Sequence, residues 1–299
     1  MTLEQLRIFV AVAEREHVTR AAEALNLTQS AVSAAVTALE ARHAIALFDR
    51  VGRRIELTRA GRLFLVEARA VLARASAAEA FLADLAGFRQ GALAIAASQT
   101  VANYWLPPLM HRFRRAYPGI TTSLAIRNSE TVAAMVREGV VDLGFVEGAI
   151  DDPALSASVV AEDEMVVVTS AALAPEGAGA ASAPPSLAWI RAARWVFREP
   201  GSGTRTIFEA ALSALGIAVA DLDIALELPS NEAVRAAVED QAGAAALSRL
   251  VVAGALESGV LAELGFALPR RRFLALRHKA RSTGRIPLAF LQLAGERRA

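Results

Sequence analysis

Three short stretches place hydroxyl, amide and backbone N–H donors where a negative charge could be held: Ser98-Gln99-Thr100, Gly201-Ser202-Gly203-Thr204-Arg205, and Ser230-Asn231. Each follows a short apolar run that reads as a strand and precedes a helical pattern. The free N–H groups and dipole of a helix start favour anions, and glycines let backbone approach closely. Thr204 and Arg205 add further donors. A single Ser-Gly turn needs to do no more than cap a helix. Three such starts, joined by Glu147 at the end of another strand, outline a site for a small anion if the fold aims them at one cleft.

A second chemistry is carried by Thr28, Gln29, Ser30, Ser33, Ala34 and Thr37, small or amide-bearing residues that share the outer side of one helical pattern. Gln can take the two hydrogen bonds that adenine offers in the major groove, and Ser or Thr can reach bases or phosphates. The plainer reading is an α-hairpin with a polar outer face. Just downstream, Arg50, Arg53 and Arg54 gather guanidinium groups around a Gly-Arg-Arg tip, which suits phosphate oxygens.

Several chemistries are excluded or unsupported. Without cysteine there are no disulfides, thiolate metal sites or cysteine nucleophiles. The four histidines, His17, His43, His111 and His278, lack ligand spacing, so neither metal nor cofactor is expected. No Gly-Lys-Ser/Thr phosphate loop or Gly-x-Ser-x-Gly elbow occurs, so catalysis is not expected. The net charge of +1 is neutral on nucleic acid, and residues 1–58 hold seven Arg against seven Asp or Glu. Such a balance implies modest affinity per DNA-binding unit and reliance on several units together.

The elements that would position these residues follow from periodicity. In Thr19 to Glu40, Ala21, Ala22 and Leu25 form one apolar side and Val32, Val36 and Leu39 another. Asn26 can end the first helix in a left-handed conformation, and Thr28 can cap the second. This is a helix-turn-helix. Leu3, Leu6, Phe9, Val10 and Ala13 make a covering helix, and Leu47 to Thr58 alternates like a two-stranded wing. From Arg59 to about Gly87 an Ala-rich run forms one long helix. Phe64, Ala68, Val71, Ala75, Ala78, Leu82 and Leu85 recur at steps of four and three, as in a coiled-coil seam, with Val66, Ala70, Ala73, Ala77 and Ala80 beside it. A homodimer is expected.

The order LRIF, TRAAEALNLTQSAVS, LE, LF-DR and LTRAG resembles the LysR-type transcriptional regulators, and the later segments follow the same layout. FREPGSGTR and SNEAVRAAV are similar to the subgroup governing carbon fixation and sulfur assimilation, whose effectors are often small anions or phosphorylated metabolites. The sequence departs from the family at Ala34, His43 and Ala44, where a basic residue, Leu and Gly are usual. The resemblance implies an inverted-repeat site on double-stranded DNA, a two-lobed effector domain like the periplasmic binding proteins, and a homotetramer.

The expected class is therefore α/β, in three parts: a winged helix-turn-helix over 1–58, a linker helix and hinge over 59–90, and an effector domain over 91–299. After Gly87 to Gly91 short strands alternate with helices: strands at Leu93 to Ala97, Ile120 to Ile126 and Asp142 to Glu147, with Ser129 capping a helix between the last two. Lobe 1 takes about 91–161 and 268–299, and lobe 2 about 162–267. Ligand belongs in the crevice at the strand ends. No run is long enough to span a bilayer and no leader peptide is evident, so the chain is expected in the cytoplasm. The rivals are a periplasmic-type solute-binding protein and a phosphate-ligand enzyme.

Overall fold

The spacing of Leu6, Phe9 and Ala13 winds the first segment into helix α1 (Leu3–Arg15), which starts at a capping box in which Thr2 and Gln5 exchange side-chain bonds. Helix α2 (Val18–Leu25) ends at Asn26, whose φ of 54° is the left-handed turn expected there. Helix α3 (Gln29–His43) begins at Thr28, whose hydroxyl accepts from Ala31 N–H at 3.2 Å. Ala21, Ala22, Val32 and Val36 pack with Ile8, Ala11 and Val12 into one core. Strands β1 (Phe48–Val51) and β2 (Arg54–Leu57) form the antiparallel wing. Its root is fixed by Glu40, whose carboxylate accepts from the N–H groups of Leu47 and Phe48 at 2.7 and 3.1 Å.

The structure is a computed structural model. It describes the chain except residues 52–53, 86–89, 149, 176–177, 179–184, 282 and 296–299, and leaves out the side chains of 50, 51, 54, 76, 77 and 79–85. Arg53 and the hinge from Gly87 thus lie outside the described residues, as do the side chains of Arg50, Arg54, Ala77, Ala80, Leu82 and Leu85. The chain forms two compact units, one of Met1–Ala86 with Glu138–Val140, the other of Gly87–Arg137 and Val141–Ala299.

Helix α4 (Arg59–Leu85) completes the first unit and corrects one expectation. Phe64 and Ala68, assigned above to a seam for a partner, pack instead on Leu6, Phe9, Leu39 and Leu47. Phe9 touches the rings of both Phe48 and Phe64. The winged domain needs that side of α4 for its own core. Leu63, Val66 and Val71 remain exposed on the helix.

The second unit has two lobes. In lobe 1, strands β3 (Gly91–Ala97), β4 (Ile120–Ile126), β5 (Leu143–Glu147), β6 (Leu155–Asp163) and a late strand, β12 (Arg271–His278), form one sheet in the order β4-β3-β5-β12-β6. A five-residue π-helical turn, Val101–Trp105, leads from β3 into α5 (Leu106–Ala116). Helix α6 (Ser129–Glu138) follows β4, and the late helix α11 (Arg285–Gly295) packs its Phe290 on Phe113 and Phe145. In lobe 2, β7 (Met165–Ser170) is buried throughout and is followed by α7 (Leu187–Ala192), β8 (Arg194–Arg198), α8 (Gly203–Ala214) and β9 (Asp223–Leu228). Then come α9 (Asn231–Glu239), β10 (Ala245–Ser248), α10 (Arg249–Glu257) and β11 (Leu261–Leu264). Strand β7 lies between β10 and β11, and β8 pairs with β9 in parallel.

Strand β6 and helix α10 were not foreseen. An edge strand with one buried side carries few apolar residues, and β6 buries only Leu155, Val160 and Asp163. It remains in the lobe 1 sheet through Asp163, beyond the expected boundary at 161. The cap of α6 is Asn128, whose side-chain oxygen accepts from Thr131 N–H at 3.0 Å, and not Ser129. At the end of α3, Ala44 has φ 51°, a left-handed conformation that disfavours a Cβ. Ala44→Gly is expected to raise unfolding free energy by about 0.5–1 kcal/mol, with Gly's greater unfolded-chain entropy already offset. Urea denaturation followed by far-UV circular dichroism would show this, and an unchanged or lower midpoint would contradict it.

Candidate functional site

The exposed side of α3 carries Gln29, Ser30, Ala31, Ser33, Ala34 and Thr37, while Val32, Val36 and Leu39 face inward. The expected residues therefore share one solvent face. Thr28 stands at its edge, its hydroxyl committed to the cap and 3.0 Å from Ser30 Oγ. This face contains no charged side chain between Gln29 and Ala38. Small side chains let the helix backbone approach a groove floor, and Gln29 can pair with a base edge.

In the second unit, the parallel strands β3, β5, β8 and β9 deliver their carboxyl ends to the seam between the lobes. Ser98 and Thr100 follow β3, Glu147 ends β5, Arg198 ends β8, and Asn231 follows β9. All five are buried, and they form one polar network with Arg271 at the start of β12. The Glu147 carboxylate accepts from Ser98 Oγ and, at 3.3 Å, from Thr100 Oγ1. Arg271 donates to Asp163 at 2.5 Å, to Thr204 at 2.9 Å and to Thr100 at 3.2 Å, with Glu147 3.7 Å away. Asn231 donates to Thr100 at 3.0 Å and accepts from Arg198, which also holds Glu199 at 2.8 Å. Thr100 thus uses its one proton and both lone pairs.

Beside this network, and sharing Glu147 with it, lies a cavity of about 600 Å³. From lobe 1 it is lined by Ser129, Glu130, Arg137 and Asp151 among others, and from lobe 2 by Gly201, Gly203, Thr206 and Ile207. The starts of α6 and α8 both border it. Gly201 has φ 83°, and a Cβ on Gly203 would sit 2.4 Å from the Glu147 carbonyl oxygen. These two glycines therefore permit the turn and the close lobe contact respectively.

Two family models match the chain: "Bacterial regulatory helix-turn-helix protein, lysR family" over residues 3–62, and "LysR substrate binding domain" over 86–299. The chain belongs to the LysR family. It is a DNA-binding transcriptional regulator with an effector-binding domain. Escherichia coli K12 YeiE, an uncharacterized HTH-type transcriptional regulator, is 37% identical over 270 residues, covering 90% of this chain and 88% of that protein. The RuBisCO operon transcriptional regulator of Allochromatium vinosum is 34% identical over 284 residues, covering 94% and 91%. Full-length CbnR, solved with its target DNA, is similar in fold, with a TM-score of 0.69 at 22% identity and all of both chains covered. The regulatory domain of Synechocystis CcmR, solved in complex with 2-PG, has a TM-score of 0.61 at 23% identity and covers 69% of this chain and 97% of that one.

Within this LysR-type regulator the expected effector residues are divided among three places. Ser98, Thr100, Thr204 and Asn231 join the buried network, and Ser202 is buried next to it at the start of α8. Gly201, Gly203 and Glu147 border the cavity. Gln99 bridges the lobes, and Ser230 caps α9 through Ala233 N–H at 3.2 Å. Arg205 differs: its guanidinium is held by Glu209 at 2.6 Å, Glu227 at 2.5 Å and the Arg198 carbonyl at 2.9 Å, and it rests on the Phe197 ring. The buried cations are Arg271 and Arg198, which sequence reasoning missed. Period-two spacing with inward Phe273 and Ala275 was the signal for Arg271.

Burial pushes the Glu147 carboxyl above its ordinary value, opposed first by Arg271, then by a backbone hydrogen bond, and then by Arg198 and the Thr100 hydroxyl. The folded state therefore binds this proton more tightly than the unfolded chain. The resulting stabilisation is full below the unfolded glutamate range and fades as pH rises through the folded value. Glu147→Gln is expected to lack this decline, so the stability of wild type relative to this variant should fall from pH 4.5 upward. Urea melts at a series of pH values would measure it, and a difference constant with pH would count against it.

Proposed function

We propose that a small anionic metabolite binds in the cavity between the lobes and alters how paired DNA-binding domains engage an inverted-repeat operator. The observation that carries this reading is the meeting of two helix starts, α6 and α8, from opposite lobes at one cavity. Both helix dipoles favour negative charge there, although at the α6 start Glu130 and Thr131 N–H are already bonded to Gly201 O and Asn128 Oδ1. Gly203 brings lobe 2 against the Glu147 carbonyl. Glu130, Asp151 and the Arg137–Asp152 pair also line the cavity, so the ligand's anionic end is expected at the α8 start. The CcmR complex with 2-PG supports an anionic ligand in this fold. Ser98, Thr100, Thr204 and Asn231 would act from behind the cavity, by holding the lobes in register.

In this reading residues 1–58 read DNA, 59–90 pair the chains, and 91–299 bind the effector. The exposed Leu63, Val66 and Val71 of α4 are the side offered to a second copy, and two such dimers make the tetramer. Paired reading heads reach successive major grooves. Arg50, Arg53 and Arg54 of the wing serve phosphates. The chain works in the cytoplasm, binds its ligand without turning it over, and transmits binding by population shift between lobe arrangements.

Calorimetry of the full chain with 2-PG, inorganic phosphate and sulfate tests the effector half. At least one anion is expected to bind, with Gly203→Ala weakening it by about tenfold or more through the clash at Glu147, on the usual scale of 1.4 kcal/mol per decade. Arg205→Ala should leave affinity unchanged, because that guanidinium is tied down elsewhere. Binding confined to cationic or apolar compounds would defeat the proposal. For the DNA half, Gln29→Ala should cost about 1–3 kcal/mol on the chain's own upstream intergenic DNA and little on random duplex. Equal losses on both duplexes would show that Gln29 does not read sequence.

A further inference from the structure

The two sides of the cleft are bonded unequally. Among the described residues bordering the cavity the lobes exchange two long contacts, Asn128 Nδ2 to Pro200 O at 3.3 Å and Glu130 N–H to Gly201 O at 3.4 Å, and behind them Arg271 holds Thr204 of α8 at 2.9 Å. On the opposite side Gln99 has both ends of its amide engaged by the turn before α9. Its Nε2 donates to Pro229 O at 2.6 Å, and its Oε1 accepts from Asn231 N–H at 2.8 Å. One turn later Glu232 accepts from Asn103 Nδ2 at 3.0 Å and from Tyr104 OH at 3.4 Å, while Ser230 Oγ braces its other oxygen at 3.1 Å.

The π-helical turn makes this second pair possible. Leu106 N–H donates to Val101 O, five residues back. In so wide a turn, residues four and five after Gln99 flank its direction, whereas an α-helix would carry Tyr104 away from the side that Gln99 faces. Burial and then the Glu232 carboxylate push the Tyr104 phenol upward, so it remains a donor to Glu232. Both amide atoms of Gln99 are thus engaged by lobe 2, and through Asn231 they bear on its bond to Thr100.

We propose that Gln99, Asn103, Tyr104 and Glu232 are positioning residues forming a clasp that fixes one side of the cleft, so that the lobes move about it and open on the cavity side alone. The clasp keeps Asn231 on Thr100 while the starts of α6 and α8 separate. Ligand entry and lobe rotation then share one axis, set by the π-helical turn and α9. This arrangement is independent of the ligand's charge.

Because the natural sequence has no cysteine, paired spin labels can be placed without background. One pair, His111→Cys with Ala236→Cys, spans the clasp, and another, Thr131→Cys with Ser213→Cys, spans the cavity side. All four positions are exposed. Distances are measured in the full chain, diluted with unlabelled chain so that only pairs within one chain contribute. The clasp pair should give one narrow distance and the cavity pair a broader distribution. Gln99→Ala combined with Glu232→Ala should raise a longer clasp distance by about tenfold or more in population, each lost bond being worth a factor of roughly 2 to 10. Glu232→Gln, which keeps an acceptor for Asn103 and Tyr104, should restore most of the narrow population. A clasp distance unchanged in the double variant overturns the proposal even if its melting temperature falls. So does a wild type whose cavity pair is the narrower. No ligand is needed, so absence of anion binding would refute the proposed effector and leave this result standing.

Discussion

Arg271 is the group on which the effector domain most depends. Its guanidinium is buried between two carboxylates, Asp163 at 2.5 Å and Glu147 at 3.7 Å, and its remaining donors reach Thr204 of one lobe and Thr100 of the other. Removing one partner from such a buried set leaves an uncompensated charge, at a cost of roughly 3–5 kcal/mol. An apolar side chain could fill the volume but could not specify which hydroxyls face each other across the seam. Asp163 extends the arrangement to Ser248 at 2.8 Å, so β6, β10 and β12 are registered by a single ion pair.

From that fixed point the seam divides into parts with different tasks. The network is buried and joins the strand ends. The cavity is the open part, and the contacts along the π-helical turn lie on its far side. Glycine supplies closeness at Gly203, and charge supplies register at Arg271.

The DNA-binding half was legible in the sequence because local signals decide it. Asn26 and Thr28 set the turn, and the inward Val32, Val36 and Leu39 leave the outer residues of α3 no other direction to face. The effector half was legible as strands and helix starts, less so as a site. Ser98, Thr100 and Asn231 do converge, yet the cation that joins them stands far along the chain within the run Arg270-Arg271-Arg272, where only strand alternation separates one arginine from its neighbours. Arg205 was misplaced for the converse reason. A helix start shows which residue types are present, while acceptors such as Glu209 and Glu227, remote or one turn on, decide where a long side chain goes. The π-helical turn leaves no compositional mark, and strand β6 hides its edge position behind small polar residues.

Helix α4 has a mechanical consequence. Phe64 and Ala68 are packed into the winged domain, so its first turns have no bearing on which to slip. The same turns carry Leu63 and Val66 outward. A torque applied to that outward ridge therefore bears on the packed core of the reading head, in the manner of a keyed shaft. Twist between two such shafts would be written directly into the angle at which α3 meets the duplex.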